Sequence, residues 1–118
     1  MENKNFNLEE RTLNLAKRIV RMCKILPNNT VNFKLVDQII RSGGSIGANY
    51  REANDSLGEK DFLFRLKIAR KEAKETEFWL YLIIEANQEL KLKMQDLIKE
   101  TIEIKKILSS IINKLQNK

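Results

Sequence analysis

The chain carries the stretch RSGGSIGANYRE at residues 41–52, which holds three of its four glycines. A stretch of this kind is compatible with a phosphate-binding loop, a hinge, or a close contact between helices. A P-loop needs Gly-x-x-x-x-Gly-Lys-Ser/Thr after a buried strand, and a dinucleotide-binding turn needs Gly-x-Gly-x-x-Gly. Neither spacing is present, so the choice lies between a hinge and a helix contact.

Small residues in this stretch recur at helical spacing. Gly43 and Gly47 would share one helix face, with Gly44 and Ala48 forming a second small ledge beside them. Each glycine costs about 0.5–1 kcal/mol in a helix interior relative to alanine, and close packing would offset that cost. Because paired Gly and Ser also bend helices, a hinge stays open as the alternative. We predict a continuous helix and a tight helix contact, either inside one bundle or between subunits.

Apolar residues follow a helical period along the rest of the chain as well. We expect Asn7 to cap the first helix and Gly58 to form a left-handed cap after the second. The predicted helices run from Leu8 to Leu26, from Asn32 or Phe33 to about Asp55, from Glu59–Asp61 to about Ala86, and from near Leu90 toward the C-terminus.

The fold class follows from these four amphipathic helices and their short connections. Such helices bury their apolar stripes by packing side by side, with neighbours antiparallel. A chain of 118 residues with 42% hydrophobic residues and a single proline suits one compact helical domain. We therefore predict an all-α fold, an up-down-up-down antiparallel four-helix bundle, as a single domain over residues 1–118.

Composition argues against several kinds of chemistry. The chain has one cysteine and no histidine, which excludes an internal disulfide, a Cys/His zinc site and the commonest general base. Di-iron sites in bundles need Glu-x-x-His, so Glu72, Glu75 and Glu77 do not suggest one. We expect no enzyme activity, no cofactor and no metal, and we expect Cys23 to act as an inert small hydrophobe.

Neither end of the chain nor its middle suggests a membrane. The N-terminal residues 1–5 are polar and lack a signal-peptide pattern, and no apolar run approaches the roughly 20 residues that span a bilayer. We therefore expect a cytoplasmic protein.

Positive charge is concentrated in two parts of the chain. The net charge is +6, and residues 1–27 and 87–118 each hold an excess of three positive charges. Neighbouring first and last helices would merge these into one positive side suited to a polyanion. The alternative is that the charges only solvate exposed faces and form pairs such as Lys71 with Glu75. The candidate nucleic-acid contacts are Lys17, Arg18, Arg21 and Lys24 on the first helix and Lys67, Arg70, Lys71 and Lys74 on the third.

Two stretches carry a family resemblance. Residues 38–53, QIIRSGGSIGANYREA, and residues 69–80, ARKEAKETEFWL, resemble the bacterial four-helix-bundle family of 23S rRNA-intervening-sequence proteins, and the resemblance spans nearly the whole chain. Such proteins are similar to the accessory protein of diversity-generating retroelements, a basic pentameric barrel that binds a reverse transcriptase and nucleic acid. The resemblance implies a homopentamer whose partners are RNA, DNA or a nucleic-acid-processing protein, and it implies no established activity. Family members often have Ala, Thr or Pro around the three glycines of the first stretch.

Some apolar residues exceed what one bundle would bury, and they favour self-association. They include Ile46, Tyr50, Phe64, Trp79 and Ile107. From bundle geometry and the resemblance we expect Glu72 and Glu75 to pair with Arg41 or Arg51, or with a charge across a subunit boundary. The candidate packing or interface residues are Gly43, Gly44, Gly47, Ile46, Tyr50, Glu75 and Trp79.

These observations give two functions to test. The first is a non-catalytic oligomer that binds an RNA or DNA backbone, or a nucleic-acid-processing partner, through its basic faces. Because the aromatic residues fall mostly on or near apolar stripes, base stacking is not expected. The second is a structural or protein-protein adaptor that binds no nucleic acid and whose charge keeps it soluble.

Overall fold

The computed structural model describes residues 4–117, with side chains from residue 7 onwards, so residues 1–3 and Lys118 with their predicted roles lie outside it. Consecutive helices pack together and α1 packs against α4, while the backbones of diagonal helices lie further apart within the described residues. The predicted all-α, up-down-up-down bundle is confirmed. The helices are α1 Lys4–Ile25, α2 Thr30–Asn54, α3 Glu59–Ala86 and α4 Lys91–Gln116, with a 3₁₀ turn at Gln88–Leu90 before α4.

The core follows the predicted apolar stripes. Burying a Leu or Ile side chain fully contributes about 1.5–3 kcal/mol, so these residues supply most of the driving force for folding. The largest fully buried side chains are Leu8, Leu15, Ile19, Ile39, Ile46, Leu66, Leu80, Ile83, Met94, Ile104, Leu108 and Ile112.

Three predicted helix boundaries need correction. Helix α1 begins at Lys4, so Asn7 lies inside it and is not its N-cap. Helix α2 begins at Thr30, earlier than predicted, because Oδ1 of Asn29 accepts a hydrogen bond of 2.9 Å from the backbone N–H of Asn32. Gly58 is extended, with φ 169°, and precedes α3. It does not cap α2, because the C-cap of that helix is already Asp55, with φ −103°, three residues before Gly58.

The glycine-bearing stretch is helical throughout, as predicted. Side chains of α1 occupy the space that two of its glycines leave. A Cβ at Gly43 would lie 2.6 Å from Cδ1 of Ile19, and a Cβ at Gly47 would lie 2.8 Å from Oγ1 and 3.1 Å from Cβ of Thr12. Gly44 is exposed and has open space around it. Gly43 and Gly47 therefore leave room in α2 for the α1 side chains Ile19 and Thr12, whereas Gly44 does not.

A buried amide pair ties the α1–α2 turn to the end of α3. Nδ2 of Asn32 donates to Oδ1 of Asn87 and to the carbonyl of Pro27, each at 2.9 Å. Nδ2 of Asn87 donates to Oδ1 of Asn32 and to the carbonyl of Ile83, each at 2.8 Å. Both amides are almost fully buried, at 2% and 1% exposure, so every amide hydrogen has a partner where water has little access.

Candidate nucleic-acid interface

A basic groove runs between α3 and the C-terminal half of α4, with a volume of about 1110 Å³. No carboxylate is among the residues that line it in the described part of the chain, although Ser109, Ser110, Asn113 and Asn117 add neutral hydrogen-bonding groups. Its cationic lining, which defines the basic groove, consists of Lys67, Arg70, Lys71, Lys74, Lys105, Lys106 and Lys114.

Helical spacing brings these cations together. The four on α3 are the predicted third-helix cluster, and steps of three and four residues place them on one face. The three on α4 were not predicted as site residues. The sequence does show that no Asp or Glu follows Glu103, so every charged side chain in that half of α4 is basic, but it does not show which of them face α3.

One cation of the groove is paired at its edge. Nζ of Lys105 donates to Oε1 of Glu77 at 2.6 Å, and the hydroxyl of Tyr81 donates to the other carboxylate oxygen at 3.0 Å. Burial acts to raise the pKa of Glu77, but these two hydrogen bonds outweigh it and the pKa lies below its ordinary value. The other six cations form no ion pair with a described residue.

The competing Lys71–Glu75 pair is not formed between these described side chains. Arg41 instead lies 3.6 Å from Glu75 and 3.9 Å from Glu72, as the sequence predicted, while Arg51 pairs with Glu9 on α1 at 3.8 Å. Lys71 thus remains available on the groove wall.

The predicted cluster on α1 lies away from the basic groove. Arg18 and Arg21 line a smaller cleft between α1 and α4 together with Lys93. Lys24 lines a hollow at the α1–α2 turn, and Lys17 is exposed. Helices α1 and α4 do share positive charge as expected, but the two predicted clusters do not meet in one groove.

The interface candidates divide between the inside and the outside of the bundle. Ile46 and Tyr50 are buried in the core of one chain, as is Ile107, so the expectation that they add surplus apolar surface was wrong. Phe64 is exposed as expected. The residues with large exposed apolar side chains include Phe33, Ile40, Phe64, Phe78, Tyr81 and Leu82.

Two buried polar atoms on α3 have no hydrogen-bond partner within the described chain: Oε1 of Glu72 and Nε1 of Trp79. Burial, helped by the charge of Glu75 and opposed by Arg41, raises the pKa of Glu72. Phe78 packs edge-on against Trp79, with ring centroids 5.3 Å apart, and is itself 56% exposed. This part of α3 therefore exposes apolar surface and also holds two buried polar atoms that lack hydrogen-bond partners within the described residues.

Other candidate chemistry finds little support in the described residues. No group of three or more Cys, Asp or Glu side chains there could hold a metal ion. Burial raises the pKa of the Cys23 thiol to about 11, which disfavours the reactive thiolate at neutral pH. Within the same residues no helix combines the length and apolar character needed to cross a bilayer.

Known proteins agree with the family resemblance. The family model for 23S rRNA-intervening sequence proteins matches residues 4–110. A crystal structure of a protein of unknown function from the S23 ribosomal protein family of Bacteroides thetaiotaomicron is 42% identical, covers 89% of this chain and 97% of its own, and superposes with a TM-score of 0.82. No curated protein matches the chain. On the strength of the family match, the chain belongs to the 23S rRNA-intervening sequence proteins.

Proposed function

We propose that this protein is a non-catalytic, self-associating bundle of the cytoplasm that binds the phosphate backbone of RNA or DNA. The observation that carries this proposal is the basic groove, where seven cations converge and no carboxylate is among the described lining residues. Lysine and arginine at such density neutralise phosphates and release counterions, which makes binding strong at low salt and weak at high salt.

Recognition in the basic groove would not depend on sequence. No aromatic side chain lines it in the described structure, so it offers no platform on which bases stack. Its neutral side chains, Ser109, Ser110, Asn113 and Asn117, are of the kind that donate to phosphate and sugar oxygens. Backbone contacts position a nucleic acid without reading it.

Binding of a fluorescein-labelled single-stranded RNA of about 20 nucleotides, followed by anisotropy over a salt series, tests the proposal. Each phosphate contact on a single strand contributes about 0.7 to the slope of log K against log salt. Lys71→Gln should therefore make the slope shallower by about 0.7 and reduce the affinity about fivefold at ~0.1 M salt.

Lys34→Gln is the matched control, because it removes the same charge from an exposed site on α2 outside the groove. An equal loss of affinity in both variants would show that net charge, not the groove, attracts the strand. No binding even at low salt would reject nucleic-acid recognition and favour the adaptor function, which the exposed apolar residues on α2 and α3 support.

Self-association rests on the exposed apolar side chains of α3, among them Phe64, Phe78 and Tyr81. A second copy that covered Phe78 would remove this apolar surface from water. The number five comes from the family resemblance alone.

Sedimentation velocity should show an oligomer that Phe78→Lys dissociates, because a charge would be buried at the contact. Leu92→Lys, at a more exposed apolar residue near the start of the neighbouring helix α4, should leave the oligomer intact. A monomeric parent protein at micromolar concentration would contradict the proposal.

A further inference from the structure

The seam where α1 packs against α4 carries different charges at different points along its length. Near its middle, Nε and Nη2 of Arg11 donate to the two carboxylate oxygens of Glu100 at 3.0 and 2.7 Å. Because the helices are antiparallel, a step of seven residues forward on α1 and seven backward on α4 reaches the equivalent places about two turns along. Those places hold Arg18 and Lys93. Two positive charges therefore face each other here, whereas two turns away an arginine faces a glutamate.

A cleft of about 340 Å³ lies between these two cations. Arg21 adds a third positive charge, and Arg18, Arg21 and Lys93 form no ion pair with a described residue. No carboxylate is among the described residues that line the cleft. The remaining lining is apolar: Met22, Ile25, Leu90, Met94 and Leu97.

We infer that this cleft binds an amphipathic anion, a molecule with an acidic head and an apolar chain or ring. The head lies between Arg18 and Lys93. It accepts hydrogen bonds from them and neutralises their charge, as the Glu100 carboxylate does for Arg11. The apolar part lies against Ile25 and Leu90, the more exposed apolar side chains of the lining, above a floor formed by Met22, Met94 and Leu97. The volume is at the lower end of the range for small-molecule sites, which suits a medium-length chain.

A nucleic-acid strand fits the cleft less well than such an amphiphile. Its phosphates would satisfy the cations, but the exposed apolar surface of Ile25 and Leu90 would stay in contact with water. The basic groove shows the opposite composition, with serine and asparagine between its cations. The two sites therefore differ in the apolar surface that they offer to a bound anion.

Calorimetric titration with three ligands of one chain length tests the inference: decanoate and decyltrimethylammonium below their critical micelle concentrations, and decanol below its solubility limit. Decanoate should bind once per chain and at least tenfold more tightly than decanol, and the cation should not bind. Equal affinity for decanoate and decanol, or no binding of decanoate at millimolar concentration, would overturn the assignment.

The variant Lys93→Glu tests the site through two measured quantities, the decanoate affinity and the melting temperature. It should recreate the Arg11–Glu100 pattern with Arg18, lower decanoate affinity at least tenfold, and raise the melting temperature by about 2–4 °C. Lys71→Gln, in the basic groove, should change neither quantity. Unaltered decanoate binding in Lys93→Glu would reject the site. So would dissociation of an oligomer by decanoate, since a second copy would then be the occupant of the cleft.

Discussion

Replacing Asn87 with Asp should lower the free energy of unfolding by about 2–4 kcal/mol, measured by urea denaturation at pH 7. The substitution keeps the shape of the side chain but removes both hydrogens that Asn87 donates, to Oδ1 of Asn32 and to the carbonyl of Ile83. Two buried acceptors would then face a carboxylate oxygen. Leaving such groups unsatisfied costs about 1–3 kcal/mol each, and the new charge is also buried.

The loss should depend on pH in a defined direction. Burial would raise the pKa of the new carboxyl above its unfolded value, so the penalty is complete above the folded pKa and shrinks as the pH falls through it. Asn28→Asp is the control, because Asn28 is exposed and the same change there should alter stability by less than about 0.5 kcal/mol. Equal stabilities of the two variants would show that the buried amide pair does not hold this end of the bundle.

Gly47→Ala should destabilise the protein by about 1–2 kcal/mol even though alanine is the better helix former. The added Cβ would lie 2.8 Å from Oγ1 and 3.1 Å from Cβ of Thr12. The Thr12 hydroxyl is held by its hydrogen bond to the carbonyl of Glu9, at 3.1 Å, and its Cβ moves only with the backbone of α1. Helix α1 must therefore shift away from α2.

Gly44→Ala is the matched control on the same helix. A Cβ at Gly44 meets nothing within 4 Å, so the variant should gain about 0.5–1 kcal/mol from helix propensity. Thermal or urea unfolding of both variants should give a difference in stability of about 1.5–3 kcal/mol. Thr12→Ala should recover part of the loss when combined with Gly47→Ala, because it removes the closer of the two contacts. A stabilised Gly47→Ala protein would contradict the tight α1–α2 contact.

The periodicity of apolar residues was sufficient to predict the fold. Residues such as Leu15, Leu80 and Leu108 recur at helical spacing, and burial of one face is a property that sequence displays directly. Helix ends were harder, because a cap depends on a single hydrogen bond, as at Asn29, and several polar residues nearby could have supplied it. The Asn32–Asn87 pair was missed because its members are 55 residues apart and each resembles an ordinary turn residue.

The basic groove was predictable in part. The α3 cations form a cluster within one helix, so their spacing alone identified them. Their α4 partners could be identified only once the rotation of α4 about its own axis was known, because lysines occur on several of its faces. The same limitation explains why Ile46, Tyr50 and Ile107 were expected outside: a residue at the margin of an apolar stripe turns inward or outward according to how its neighbours pack.

Trp79 gives the molecule a built-in optical reporter. It is the sole tryptophan in the chain, it is partly buried, and its indole nitrogen has no hydrogen-bond partner within the described residues. Indole emission responds to the polarity of its surroundings and to hydrogen bonding at that nitrogen. Any event that changes the packing around this indole therefore shifts the emission of the unlabelled protein, whereas an event that leaves that packing unchanged leaves the colour of the emission as it was.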